Sequence, residues 1–159
     1  MSIELLVNKL IEKKLKISTA ESCTGGLLAK SITDVSGCSE IFELGIVAYA
    51  NRIKNEFLLV SDEILTEYGA VSSQCSEAMA RGLAKASNAD INVSVTGIAG
   101  PGGATKTKPV GLIYFSVYLK NLNKLMTFEL KLLGDRDQNR HECVAIIVEK
   151  LMEIVDNLA

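Results

Sequence analysis

Apolar residues at the start of the chain recur at helical spacing. Ile3, Leu6, Val7, Leu10 and Ile11 fall on one side of a 3.6-residue period, so the chain opens with an amphipathic helix. A β-type run at residues 15–20 follows. A helix-type run at 27–34 comes next, with Leu27, Leu28, Ile32 and Val35 as buried candidates. Residues 36–39, Ser-Gly-Cys-Ser, read as a loop. Residues 45–50 suit a buried strand, and Asn51 is placed to cap a short helix over 52–59. Ser61, Asp62 and Glu63 mark another helix start, and Gly69 its end. Ser72 caps a longer helix through Ala86, with Cys75, Met79, Leu83 and Ala86 at core spacing.

Ile91, Val93 and Val95 then alternate with Asn92, Ser94 and Thr96, the pattern of a half-buried strand. A glycine-rich loop at 97–108 leads to two strands, 111–119 and 124–132. Asn121-Leu122-Asn123 between them predicts an antiparallel hairpin. The last helix begins near Arg136 and aligns Val144, Ile147, Val148, Leu151, Ile154, Val155 and Leu158 on one face. Five strands interleaved with helices predict an α/β layered fold. The early strand–helix–strand units favour parallel pairing, and the late hairpin makes the sheet mixed.

Composition narrows the function. A chain of 159 residues, 48% hydrophobic and 23% charged, suits one globular domain over 1–159 with a substantial core. A net charge of −2 gives no electrostatic case for a nucleic-acid partner. No apolar run approaches the roughly 20 residues that cross a bilayer, and residues 1–16 carry charges throughout. No membrane partner and a cytoplasmic location are therefore expected. The four cysteines, Cys23, Cys38, Cys75 and Cys143, are widely spaced, which argues against a zinc site or a disulfide scaffold. No metal-ligand pattern occurs, so no catalytic metal and no cofactor is expected. His141 is the sole histidine and lies inside a helical pattern, so a nucleophile here needs another base.

The densest chemistry lies in Thr19-Ala20-Glu21-Ser22-Cys23-Thr24-Gly25-Gly26, at a strand-to-helix turn. Ser22 or Thr24 there can cap the helix. Alternatively, a nucleophilic Ser22 sits beside free backbone N–H groups suited to an oxyanion, and Gly25 and Gly26 let a ligand approach. Cys23 is the rival nucleophile, although a small buried residue is the favoured reading. Glu21 can orient a lysine, contact substrate or close a salt bridge. On spacing alone Tyr49 and Lys54 read as a core tyrosine and a solvated lysine. They bracket a strand-to-helix junction, however, and both can point into one cleft. The loop containing Thr96, Gly97, Gly100, Gly102 and Thr105 is neither a P-loop nor a dinucleotide fingerprint. Its N–H groups can serve a phosphate or ribose, or it can be a mobile surface loop. Arg136 and Arg140 share a helix face near a helix start, which suits a phosphate or carboxylate, or they are a pair of surface charges.

Six stretches in order carry a family resemblance: Ala20–Gly26, Val47-Ala48-Tyr49-Ala50-Asn51 with Lys54, Gly69-Ala70-Val71-Ser72, Thr96–Gly103, Lys108-Pro109-Val110-Gly111 and Gly134-Asp135-Arg136. Together they are similar to the CinA C-terminal-domain family, which includes nicotinamide-nucleotide amidases. The resemblance implies a three-layer α/β/α sandwich with a mixed, mostly parallel five-stranded sheet. It implies a serine amidase in which Ser22 is the nucleophile and Tyr49 and Lys54 assist it. The expected reaction converts nicotinamide mononucleotide to nicotinic acid mononucleotide and ammonia. Glu21, Thr24, Gly25, Gly26, Thr96, Gly97, Gly100, Gly102, Thr105, Arg136 and Arg140 are the expected substrate contacts. A homodimer or larger homo-oligomer is expected. The alternative is a non-catalytic nucleotide-binding or regulatory module of the same family.

Overall fold

The computed structural model describes residues 2–159. Helix α1 (Ile3–Lys13) is capped by Ser2, whose hydroxyl accepts the Glu4 N–H at 3.2 Å, and it buries Leu6, Val7 and Leu10. Strand β1 (Ile17–Glu21) is buried along its whole length, and α2 (Leu27–Thr33) follows the Ser22 turn. Then come β2 (Phe42–Val47), α3 (Asn51–Leu58), α4 (Asp62–Glu67), α5 (Ser73–Ala86) and β3 (Ile91–Gly97). The chain closes with β4 (Leu112–Leu119), β5 (Lys124–Lys131) and α6 (Arg136–Asp156).

The sheet order is β2-β1-β3-β4-β5. β1 pairs in parallel with both β2 and β3, whereas β4 is antiparallel to β3 and to β5. Four strands therefore share one direction and β4 alone is reversed, which is the mixed, mostly parallel sheet expected. One core lies between the sheet and α1, α2 and α6, with Leu28, Ile32, Val93, Phe115, Ile147 and Leu151 at its centre. The second lies under α3 and α5 and contains Ala20, Leu58, Cys75, Met79 and Leu83. These are the three layers of an α/β/α sandwich.

Several local expectations change. β2 starts three residues earlier than the apolar run suggests and is an edge strand, not a buried one. Glu43, Gly45 and Val47, alternate residues on one face, are exposed, and β1 is the one strand that pairs with it among the described residues. β3 is buried on both faces, not half-buried. Its polar residues face neighbouring backbone instead of solvent: Ser94 Oγ donates to Ser76 O at 2.6 Å, Thr96 Oγ1 to Ala70 O at 2.8 Å and Asn92 Nδ2 to Ala89 O at 3.0 Å. Alternation alone cannot separate a wet face from one that bonds a helix. Asn51 is the first helical residue of α3; the N-cap is Ala50, without a side-chain bond. The loop at 36–39 runs into a single 3-10 turn, Cys38–Glu40, and a similar turn, Lys120–Leu122, joins the hairpin. Ala86 is exposed, and Gly82 is the buried residue on α5 instead.

The parallel strands bring their C-terminal ends, Glu21, Val47 and Gly97, to one side of the molecule. From β1 the chain crosses to β2 through α2 on one face; it returns to β3 through α3, α4 and α5 on the other. Such a reversal opens a crevice beyond the strand ends, where ligands of this fold class collect.

The close approach of α3 and α5 supports this crevice from one side. A Cβ at Gly82 would sit 1.7 Å from the Leu58 carbonyl oxygen. Gly82→Ala should therefore force the helices apart and cost about 3 kcal/mol, read as a lower urea midpoint. An unchanged midpoint would mean that the two helices separate freely.

Candidate active site

Ser22 leaves β1 with its backbone N–H still in the sheet, bonded to Val95 O at 3.0 Å. The chain then turns tightly. Gly25 N–H donates to Ser22 O at 3.0 Å and Leu27 N–H to Thr24 O at 3.0 Å. Gly25 and Gly26 adopt φ of +60° and +98°, conformations a side chain would resist. The cap of α2 is neither Ser22 nor Thr24. The N-cap residue is Gly26, without a side-chain bond, and the helix-start N–H groups of Leu28 and Ala29 donate to the Glu21 carboxylate at 2.8 Å and 3.0 Å. Glu21 is thus buried beneath the helix start and is not positioned as a substrate contact or a lysine partner. With the cap supplied from the strand, the Ser22 hydroxyl is left for other work. Among the described residues, the N–H groups of Cys23, Thr24 and Gly26 have no backbone acceptor.

Lys54 comes from the first turn of α3. Its side chain is 1% exposed, and it is among the largest fully buried side chains of the protein. Its Nζ lies 3.1 Å from Ser22 Oγ and 2.7 Å from the carbonyl oxygen of Tyr49. Among the described residues no carboxylate forms an ion pair with it. Burial pushes its pKa below the ordinary lysine value, and the nearby thiols of Cys75 and Cys23 oppose this. Burial shifts this lysine toward its neutral form within reach of a hydroxyl, the arrangement general-base catalysis requires.

Cys23 lacks that arrangement. It is 5% exposed, and burial raises its thiol to about 12. A thiol held protonated is a poor nucleophile. Burial likewise holds Cys75 up at about 11. His141 is exposed on α6, its Nδ1 2.9 Å from Asp137 O, and it bonds to none of these groups.

Tyr49 has a divided role. Its carbonyl holds Lys54, but its phenol, on a side chain 57% exposed, accepts from Arg136 Nη2 at 3.2 Å. The hydroxyl is therefore not placed as a proton relay between Lys54 and Ser22. Arg136 also donates through Nη1 to Gly100 O at 2.7 Å. It reaches from α6 to the segments after β2 and β3, which flank the Ser22 turn. The start of α6 is itself no anion site. Asp135 and Gln138 complete a capping box and Asp137 adds a carboxylate to the first turn, so the charge available to an anion is the guanidinium. Arg140 turns to the other side and donates from Nη2 to Thr24 O at 2.9 Å.

The glycine loop departs further from expectation. Thr96 is buried and committed to Ala70 O, and Gly97 is packed so tightly that a Cβ would meet Ile113 at 2.6 Å. Thr105 closes the loop on itself: its Oγ1 accepts Lys108 N–H at 3.1 Å, and its N–H donates to Lys108 O at 2.8 Å. Lys106 is exposed, while Lys108 is half-buried and bonds to Tyr68 O. Only Gly100, through its carbonyl, reaches a charged side chain of the site, and Gly102 faces open space.

Sequence reasoning missed Asn139. It is wholly buried, accepts Gly134 N–H at 2.9 Å, and donates to Ala99 O and Gly134 O, each at 3.0 Å. It ties the glycine loop to the turn carrying Arg136. The available signal was an amide four residues before Cys143, on the stripe that α6 buries.

Among the described residues no group of three His, Cys, Asp or Glu could hold a metal ion, and no helix is long and apolar enough to cross a membrane. Residues 2–155 match the CinA C-terminal domain. A CinA-like protein of Dictyoglomus turgidum is 49% identical over 137 residues, 86% of this chain and 33% of that protein. A putative competence-damage inducible protein of Clostridium perfringens is 40% identical over 159 residues, 99% of this chain and 38% of its own length. The chain thus spans about a third of the length of these curated relatives. Among solved structures, the competence/damage inducible protein CihA from Agrobacterium tumefaciens superposes with a TM-score of 0.90 at 38% identity, covering 98% of this chain and 96% of that one. The competence damage-inducible protein A from Klebsiella pneumoniae gives 0.93 at 27% identity, with both chains fully covered. A match across almost the whole chain, with the same fold in solved members, makes this protein a member of the CinA C-terminal-domain family.

Proposed function

We propose that the protein is a metal-independent amidohydrolase that converts nicotinamide mononucleotide to nicotinic acid mononucleotide and ammonia. The observation that carries this reading is the buried, carboxylate-free Lys54 with its Nζ 3.1 Å from Ser22 Oγ. In the neutral amine form, Lys54 keeps one N–H on the Tyr49 carbonyl and turns its lone pair to the Ser22 hydroxyl. Ser22 Oγ attacks the carboxamide carbon while its proton passes to Lys54 Nζ. The free N–H groups of Cys23 and Thr24 are the donors for the oxyanion. Collapse breaks the C–N bond, and Lys54 returns the proton to the departing ammonia. An ester on Ser22 remains. Water, giving a proton to Lys54, attacks this ester; the bond to Ser22 Oγ breaks, Lys54 returns the proton to Oγ, and the carboxylic acid leaves. The choice of a nucleotide follows the family resemblance, and Arg136 at the crevice mouth suits the phosphate. Anion binding there would replace the neutral Tyr49 phenol as a partner of the guanidinium.

Ammonia release by the purified protein tests the reading directly, with a non-catalytic module as the alternative. Ser22→Ala should abolish ammonia release from the mononucleotide, while Cys23→Ala keeps most of it. The reverse pattern would make the protein a thiol enzyme.

Lys54→Met should lower kcat by ~10²–10⁴-fold with little change in KM, since a base acts on the proton moved during reaction. Only the deprotonated amine can accept that proton. Activity of the unaltered protein should therefore rise with pH through an inflection below the 10.5 of an ordinary lysine. A flat profile, or an inflection that persists in Lys54→Met, assigns the base elsewhere.

Arg136→Ala should act mainly on KM for the mononucleotide, because a phosphate clamp grips ground and transition states alike. The riboside, which lacks the phosphate, should be hydrolysed with little change in KM. Equal damage to both substrates would take Arg136 out of phosphate binding.

A further inference from the structure

We propose that Arg140 is a positioning residue: it pins the peptide between Thr24 and Gly25, and with it the turn that presents Ser22. This rests on the amidase reading above. Arg136 and Arg140 sit one helical turn apart, but their guanidinium groups have different surroundings. Arg136 is exposed and bridges two segments at the crevice mouth. Arg140 is half-buried, and its Nε is buried without a partner. Its Nη2 donates to Thr24 O and lies 3.2 Å from where a Cβ of Gly25 would be. It therefore packs directly on the nucleophile turn.

The Thr24–Gly25 peptide is held on both sides. Its carbonyl accepts Arg140 Nη2 at 2.9 Å and Leu27 N–H at 3.0 Å, and its N–H donates to Ser22 O at 3.0 Å. Sterics alone do not fix this orientation, because Gly25 has no Cβ and tolerates φ of either sign. A flip would break all three bonds and aim the Gly25 N–H at a guanidinium, donor against donor. Loss of these bonds would loosen the turn that carries the neighbouring Cys23 and Thr24 N–H groups, which among the described residues have no backbone acceptor. Arg140 thus stabilises the arrangement in which those donors face the oxyanion. An oxyanion hole depends on such pre-set orientation, and loss of one donor typically costs ~10²–10³-fold in kcat.

The test uses Arg140→Gln and Arg140→Lys with two substrates, nicotinamide mononucleotide and its phosphate-free riboside. For Arg140→Gln we expect kcat to fall by about 10²-fold on both substrates alike, with KM nearly constant. Arg140→Lys should recover part of the loss, since it keeps a cationic donor. It also carries the test if Arg140→Gln does not fold. Hydrogen exchange of the Gly25 amide, followed by NMR, provides a readout that needs no activity. Its protection should drop at least tenfold in Arg140→Gln, even if no substrate is turned over. A loss confined to KM for the mononucleotide would make Arg140 an anion ligand and overturn the proposal. Unchanged Gly25 protection would overturn it as well. Silence of the unaltered protein on every amide would instead remove the amidase reading and leave the exchange result to stand for the turn alone.

Discussion

One constraint shapes the functional end of the molecule: an ammonium side chain is buried without a counter-charge. Moving a charged amine out of water costs several kcal/mol unless other groups replace its hydration. Among the described residues Lys54 has two oxygen neighbours, the Tyr49 carbonyl and the Ser22 hydroxyl, and no carboxylate partner. The cost therefore falls largely on the charged form, which is why its pKa drops. A carboxylate beside it would have stabilised the ammonium and removed the base. Glu21 is the nearest acid in sequence to Ser22, yet both its oxygens are spent on the start of α2. Capping α2 from β1 thus keeps a negative charge from pairing with Lys54 and leaves Ser22 uncommitted.

The placement of Lys54 follows from the end of β2. Ala48 N–H still bonds Glu21 O at 2.8 Å, so the chain leaves the sheet only after Ala48. Helix α3 begins at Asn51, and its first turn carries Lys54 inward while Arg52 stays exposed and pairs with Glu56. The core below, with Leu58, Cys75 and Met79, excludes water from the lysine stem. On the far side the first turn of α6 fastens the loops: Asn139 and Arg136 take the consecutive carbonyls of Ala99 and Gly100, and Arg140 takes that of Thr24. One helix start thereby fixes the segments after β1 and β3, and Arg136 also reaches the phenol after β2. The crevice is built from loops but is held by regular elements.

Much of this was legible from residue pattern. The helical spacing at Leu6, Leu10 and along α6, the capping serines at Ser61 and Ser72, and the hairpin around Asn123 all concern neighbours close in sequence. Short-range physics suffices there. The order of elements and the strand ends gave the crevice. Errors arose where the deciding partner was distant. Whether β2 is an edge strand depends on which strand pairs with β1. The wetness of Thr96 depends on a carbonyl 26 residues away. The hand-off of Tyr49 from lysine to arginine depends on a residue 87 positions later. Asn139 was missed because the partner that gives it its role, Ala99 O, lies 40 residues away in a loop that the chain pattern treats as free. The resemblance pointed to Ser22, Tyr49 and Lys54 as a set. Geometry alone separates the carbonyl of Tyr49, which touches the lysine, from its hydroxyl, which does not.

The buried hydroxyls elsewhere explain why Ser22 stands out. Ser76, Ser94 and Ser116 bond one another beneath α5, and Ser116 continues to Thr127 at 2.9 Å. Ser18 and Ser87 pair at 2.6 Å. Each of these groups meets a hydroxyl or a carbonyl, partners that satisfy a buried O–H but cannot take its proton at neutral pH. Among the described residues Ser22 is the one serine whose hydroxyl meets a side-chain amine. Burial and hydrogen bonding are thus shared by core serines and by the candidate nucleophile. The distinction lies in the partner's being an amine, and the free base is favoured by the same burial that makes Lys54 costly to keep charged.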